Sequence, residues 1–358
     1  MPSLPPLLRP AIRAIEPEKW NLQRRPDLLE LQFGENQEPL SENVLRAIAD
    51  SGRTANYYSG LQDELVNTIA TSKGVRPDHI TITNGTDEAF RLISGVFIEP
   101  GDVCLLFVPT YPAIKPSVKM MGGTIHPLAL GPDHQLPSLE DLRPHLTPQT
   151  KMIYLANPNL PVGNLMANLD QIRALLELPL IVVVDECYVE ISQWSAYELV
   201  NQYPNLIITR TFSKTYGLAG LRIGYLLAHA ETTAILSFVK VSIDSFIPST
   251  SMAAAIAALK DEAHLAHTLA RVATAKQTLN AGLRALGLTV WDTLTTHTLV
   301  DVSPAGFTAP AFVEKLRGNG VLVKTCDVYD CEEPGWVFFG IPPLDRVDWV
   351  LGRVKDCM

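Results

Sequence analysis

Seven short runs of apolar, largely β-branched residues recur through the middle of the chain: ITIT (80–83), VCLLF (103–107), TIHPL (124–128), KMIYL (151–155), LIVVV (180–184), LIITR (206–210) and IGYLL (223–227). Helix-length segments separate most of them. A strand buried on both faces has no reason to alternate polar with apolar residues. Continuous runs alternating with helical patterns therefore predict a mainly parallel seven-stranded sheet with helices on both faces.

Helical spacing is clear in LQDELVNTIATSKG (61–74), where Leu61, Leu65 and Ile69 fall one turn apart, and in DEAFRLISGVF (87–97), introduced by the turn Asn84-Gly85. Beyond about residue 230 the pattern changes. A long helical stretch, HLAHTLARVATAKQTLNAGLRALG (264–287), precedes strand-like TLVDV (298–302), GVLVK (320–324) and WVFFG (336–340). The expected organisation is an N-terminal arm over 1–35 with a helix-like piece at 9–20, a large α/β lobe over 36–245, and a small α+β lobe over 246–358.

Composition narrows the function classes. Lys and Arg total 29 against 38 Asp and Glu, with no basic run longer than a pair such as Arg24-Arg25, which disfavours nucleic acid and anionic membranes as partners. No apolar stretch approaches the roughly 20 residues needed to span a bilayer, and the proline-rich start does not read as a signal peptide. The five cysteines are scattered, with no metal-ligand spacing, so no metal site is expected and a reducing cytoplasm fits best. No GxGxxG follows any predicted strand, which argues against a dinucleotide site.

The candidate chemistry lies after two of the buried strands. TRTFSKTYGLAGLRIGY (209–225) places the hydroxyls of Thr211 and Ser213 around Lys214, with Arg222 eight residues further on. Hydroxyls and a guanidinium can together satisfy phosphate oxygens, and Gly217 and Gly220 let the backbone turn close beside them. Lys214 is then available for covalent chemistry. The strand LIVVV runs directly into Asp185, putting an acid at the carboxyl end of a buried strand, where ligands collect in α/β sheets. Such an acid can pair with a protonated heterocyclic nitrogen or serve as a helix N-cap.

Together, DExY (185–188), SK (213–214) placed 29 residues after Asp185, and GLxGLRxGY (217–225) resemble the class I/II aminotransferases of pyridoxal 5'-phosphate (PLP) fold type I. The likeness is closest to the histidinol-phosphate aminotransferase branch and runs from about residue 35 to 345 in element order. It implies that Lys214 carries PLP as a Schiff base, that Asp185 pairs with the pyridine nitrogen, and that Tyr188 donates to the cofactor phenolate. It also implies that Thr211, Ser213 and Arg222 hold the phosphate, together with the backbone amides of Thr86 and Asp87 at a helix start. Tyr111 in VPTYP matches the aromatic that stacks on the ring. Tyr57 in NYYSG matches a tyrosine that reaches the neighbouring subunit's phosphate, which implies a homodimer with composite sites.

Two segments depart from the family pattern. In ANPNLPVG (156–163) the usual phenolate-binding asparagine is replaced by Leu160, leaving Asn159 as a substitute donor. In PGWVFFGIPP (334–343) the arginine that clamps a substrate carboxylate is missing, leaving Lys324 in GVLVK as the basic candidate for substrate binding. The expected activity is transamination of a small amine or amino acid, phosphorylated substrates included. The alternatives are a PLP-dependent decarboxylase, eliminating lyase or cyclase, and a non-catalytic PLP-fold binding protein.

Overall fold

A computed structural model of the chain describes residues 8–13, 15, 27–58, 60–243 and 246–358. The large lobe is built on strands β1 (Ile80–Thr83), β2 (Val103–Val108), β3 (Thr124–Ala129), β4 (Thr150–Ala156), β5 (Ile181–Asp185), β6 (Leu206–Thr211) and β7 (Gly224–Ala228). They form one sheet in the order β1-β7-β6-β5-β4-β2-β3, in which β7 alone is antiparallel to both neighbours. The apolar runs of the central strands are buried on both faces: Leu105, Ile153, Val182 and Ile208 enter one core, and Leu106, Tyr154, Val183 and Ile207 the other.

Helix α1 (Gln62–Lys73) ends on Gly74, whose left-handed backbone (φ 63°) closes the helix. Helix α2 (Gly85–Phe97) follows β1, and α3 (Ala230–Ile243) follows β7. Two buried ion pairs tie the sheet to its surroundings. Arg210 on β6 meets Glu186 at 2.8 Å, and Lys240 of α3 meets Glu88 of α2 at 2.7 Å.

The small lobe has the long helix α4 (Glu262–Ala285) and strands β8 (Thr289–Trp291), β9 (His297–Asp301), β10 (Lys324–Thr325) and β11 (Trp336–Gly340), in the order β10-β11-β9-β8. Val300, Val337 and Phe339 turn into its own core. The expected strand over 320–324 is instead broken at Val323. Val321–Leu322 pairs in parallel with Leu29–Glu30, whereas Lys324–Thr325 pairs with β11. A β-branched run specifies extended backbone without specifying its partner, and here two partners compete.

The helix Ser249–Lys260, assigned to the small lobe by a boundary at 246, buries Met252, Ala255 and Leu259 in the same core as Val44, Leu65 and Ile69. Its alanines allow close helix packing on the large-lobe side. Of the expected N-terminal helix at 9–20, only Pro10–Arg13 is helical among the described residues, and 14 and 16–20 lie outside them.

Among the described residues no helix is long and apolar enough to cross a membrane, and no cluster of three or more His, Cys, Asp or Glu side chains could hold a metal ion.

Candidate active site

The carboxyl end of β5 places Asp185 beside the matching ends of its neighbours, because register pairs Asp185 with Ala156 of β4 and Thr209 of β6. The Asp185 carboxylate is 3% exposed. One oxygen accepts from the Thr209 hydroxyl at 2.9 Å and the other from the Tyr154 hydroxyl at 3.2 Å. Burial raises the pKa of this carboxyl, and hydrogen bonds from Cys187, Thr209 and Tyr154 work in the opposite direction. The result is a carboxylate fixed in orientation by these donors and, among the described residues, in no salt bridge. A protonated ring nitrogen would supply the cation.

Lys214 lies in the turn that follows β6. Its ammonium donates to the Phe33 carbonyl at 2.7 Å, so the segment before residue 35 closes over it. Burial lowers the Lys214 pKa, with Cys187 and Glu35 acting to raise it and Arg222 to lower it. A neutral amine, the form that can act as nucleophile or base, is thereby made more accessible. Tyr188 is 1% exposed, and its hydroxyl, near that of Thr296, meets no partner at hydrogen-bonding geometry among the described residues. The neighbouring hydroxyl of Thr296 donates elsewhere, to the Gly34 carbonyl at 2.6 Å. An orphaned buried hydroxyl beside a buried acid and a buried lysine is what a ligand oxygen would satisfy.

A second group of residues gathers at the start of α2. Arg222, in left-handed backbone (φ 49°), sends its guanidinium to Asp87 at 2.9 Å and to the Ser213 hydroxyl at 3.5 Å. The Ser213 amide donates to the Thr211 hydroxyl at 3.1 Å. Thr86 is buried at the first turn of the helix, whose amides and dipole favour an anion. Beside this group lies a cavity of about 540 Å³ lined in part by Asn84, Asp87, Arg91 and Arg222.

Gly85 has φ 72°, and a Cβ there would stand 2.7 Å from the Arg222 guanidinium. Gly85→Ala is therefore expected to push Arg222 aside and weaken retention of a phosphorylated cofactor by about 10-fold, the loss of one charge-assisted contact. Equilibrium dialysis against PLP measures this.

The donor nitrogen of Asn159 is engaged by the Pro109 carbonyl at 3.0 Å and the Met166 sulfur at 3.7 Å, and its carbonyl oxygen has no partner among the described residues. Leu160 joins an apolar cluster with Val162, Tyr188, Tyr329, Trp336 and Phe338, against which Tyr111 packs. Tyr57 is 71% exposed. Lys324 holds its ammonium over the rings of Tyr329, Phe338 and Phe33, at 4.6, 4.8 and 5.7 Å. Three participants escaped the sequence reading: Tyr154, Thr209 and the carbonyl of Phe33. Their only signal was position, two lying on strands adjacent to that of Asp185.

The buried acid, the orphaned hydroxyl, the buried lysine and the arginine at a helix start together fit PLP. Comparisons with known proteins agree. Residues 26–343 match the family "Aminotransferase class I and II". The chain is 31% identical over 354 residues to a histidinol-phosphate aminotransferase of Symbiobacterium thermophilum, covering 95% of this chain and 96% of that protein. It is 30% identical over 301 residues to one of Methanosphaera stadtmanae, covering 83% and 82% respectively. In fold it is similar to the histidinol-phosphate aminotransferase of Sinorhizobium meliloti, solved with pyridoxal-5'-phosphate, with a TM-score of 0.86, 24% identity and coverage of 99% and 98%. It is also similar to the aspartate aminotransferase of Thermotoga maritima, with a TM-score of 0.80, 21% identity and coverage of 92% and 91%.

Proposed function

Because the chain belongs to the class I and II aminotransferase family and is a PLP-dependent aminotransferase, we propose that it moves an amino group from a small amine or amino acid, with Lys214 as its catalytic residue. Histidinol phosphate, from the names of its relatives, is the first candidate substrate. The observation that carries the reading is the meeting of Asp185, Lys214 and Tyr188 at the ends of adjacent strands.

Lys214 would hold the cofactor covalently, Asp185 its ring nitrogen and Tyr188 its phenolate, with Tyr111 against the ring. Thr211, Ser213, Arg222 and the amides of Thr86 and Asp87 would hold the phosphate. When bound, the cofactor supplies an electron sink for the pair left on the substrate Cα. Lys214 removes the Cα proton as general base, aided by the burial that favours its neutral form. Asp185, held by Thr209 and Tyr154, keeps its negative charge directed at one position. Leu160 offers no donor and the Asn159 amide nitrogen is engaged by the Pro109 carbonyl and the Met166 sulfur, so Tyr188 is the side chain in this group with a hydroxyl to offer. Lys324 is the proposed partner of a substrate carboxylate.

A single-turnover experiment tests the reaction. Holoenzyme mixed with an amino donor and no acceptor should release a carbonyl product and leave pyridoxamine phosphate, identified by mass spectrometry. Stoichiometric CO2, ammonia or a cyclised amine, with the cofactor recovered as PLP, would instead support a decarboxylase, lyase or cyclase.

We propose further that the enzyme is a homodimer with composite sites, working in the cytoplasm. Exposed apolar residues support the dimer: Ile235, Phe238 and Val241 of α3 are 51–72% exposed, and Tyr58, 86% exposed, packs against Phe246 at 5.1 Å. The five cysteines are all free, which suits a reducing compartment. Mixing Lys214→Ala with Tyr57→Phe subunits is expected to give heterodimers with one intact site and to restore activity above that of either parent. No restoration, or a fully active monomer by light scattering, would refute the composite site.

A further inference from the structure

Lys214 changes state during the proposed reaction: it holds the cofactor, is released, and then takes the Cα proton as a free amine. Its own ammonium contact cannot place it throughout. The 2.7 Å bond to the Phe33 carbonyl belongs to the free amine, whereas the lysine must occupy one place in either state. Placement has to come from the backbone that carries Lys214, and so from the residues beside it.

The two residues that follow Lys214 are tied to a pair of charges that the chemistry described above does not use. The Thr215 hydroxyl donates to the Glu190 carboxylate at 3.1 Å, and the same carboxylate meets the ammonium of Lys73, the last residue of α1, at 3.0 Å. Lys73 also donates to the Tyr216 hydroxyl at 2.6 Å and lies 5.1 Å from the centre of its ring. Burial and the nearby Glu190 push the Tyr216 pKa up, so this hydroxyl stays neutral and accepts. The Lys73 and Glu190 side chains are only 15% and 9% exposed, and Thr215 is buried. Such a pair is held in one geometry, because parting it strands a charge away from water.

Glu190 also belongs to a second arm of the site. It lies in the short helix Val189–Ser192, which starts from Tyr188: the amides of Ile191 and Ser192 both donate to the Tyr188 carbonyl at 3.0 Å. One carboxylate therefore joins the segment carrying the proposed phenolate donor to the turn carrying the lysine. From the N-terminal segment, the Asn36 side-chain amide donates to the Thr215 carbonyl at 2.9 Å, and the Gly217 amide closes the turn onto the Lys214 carbonyl at 3.2 Å. Thr215 is thus held by both its side chain and its backbone, next to a lysine whose own side chain has to change partners.

We propose that Glu190 is a positioning residue that, through the Thr215 hydroxyl, fixes the Lys214 turn against the Tyr188 segment. This deepens the transamination reading and rests on it. A general base works only within hydrogen-bond reach of the proton it takes, and a displacement of about 1 Å can cost about 100-fold in rate. Lys73 meets the charge of Glu190, so the part played by the carboxylate is to hold Thr215 in place.

Thr215→Val keeps the shape of the side chain and removes the donor. In cofactor-loaded enzyme it is expected to slow conversion of the cofactor at saturating histidinol phosphate by about 10-fold, while the donor concentration giving half that rate stays unchanged. The visible circular dichroism of the bound cofactor should weaken before any donor is added, and Thr215→Ser should restore both readings. Glu190→Ala should slow conversion at least as much, and adding Thr215→Val to it should cost nothing further. Glu190→Ala strands Lys73; should it not fold, the Val and Ser variants decide between them. Parental rate and dichroism in Thr215→Val, a loss that Thr215→Ser does not restore, or a further loss in the double variant overturns the inference and leaves transamination standing. If histidinol phosphate does not alter the cofactor of the parent enzyme, transamination of that donor fails, and the dichroism alone judges the tether.

Discussion

Replacing Lys214 with Ala is expected to reduce the turnover rate by at least about 10⁴-fold while leaving the folded chain able to retain PLP without a covalent bond. The two effects separate because they rest on different residues. Lys214 has its own environment, under the Phe33 carbonyl and with its neutral form favoured by burial. The cluster around Arg222 and the start of α2 is held by the Asp87 and Ser213 side chains and not by that of Lys214. Rapid-quench kinetics measures the first effect, and cofactor content after gel filtration the second. A variant with unchanged turnover would remove Lys214 from the chemistry.

Asp185→Asn is expected to lower turnover by about 10³-fold, because the amide keeps the shape of the carboxylate but not the charge that would hold a ring nitrogen protonated. The same change should stabilise the cofactor-free protein at neutral pH. Burial raises the Asp185 pKa in the folded chain above its ordinary value of 3.8. The folded chain then binds this proton more tightly than the unfolded chain does. Its contribution to stability is fully present below the ordinary value and is lost as pH rises through the raised folded value. At neutral pH the charged side chain opposes folding, and Asn removes that cost. The midpoint of urea unfolding for the cofactor-free variant should therefore lie above that of the parent at pH 7 and approach it in acid. A lower midpoint at pH 7 would mean that the bonds from Thr209 and Tyr154 outweigh the burial of the charge.

These opposed effects reflect what sequence can and cannot reveal about such a site. Asp185, Lys214 and Arg222 were legible as candidates because each follows a buried strand and because their motifs, in order and spacing, together resemble one family. The seven central strands were legible for a related reason: continuous β-branched runs have few alternatives once helices flank them, and their observed ends shift by only a residue or so. Thr209 and Tyr154 were not legible as Asp185 partners, because that assignment needs the register between strands far apart in sequence. The Phe33 carbonyl is a backbone group and leaves no side-chain signature.

The C-terminal lobe shows the same limit. In the sequence Trp336, Val337 and Phe338 are simply three apolar residues of one strand, none able to bind a carboxylate. Pleating separates them, sending Val337 into the core and the two aromatic neighbours toward the site. The break at Val323 likewise depends on Leu29–Glu30, which lies almost 300 residues away in the chain.

Borohydride reduction of the PLP-loaded protein, followed by proteolysis and mass spectrometry, tests the central claim most directly. The account predicts a phosphopyridoxyl group on the peptide containing Lys214, in stoichiometric yield. A label on any other lysine, or none despite bound PLP, would contradict it.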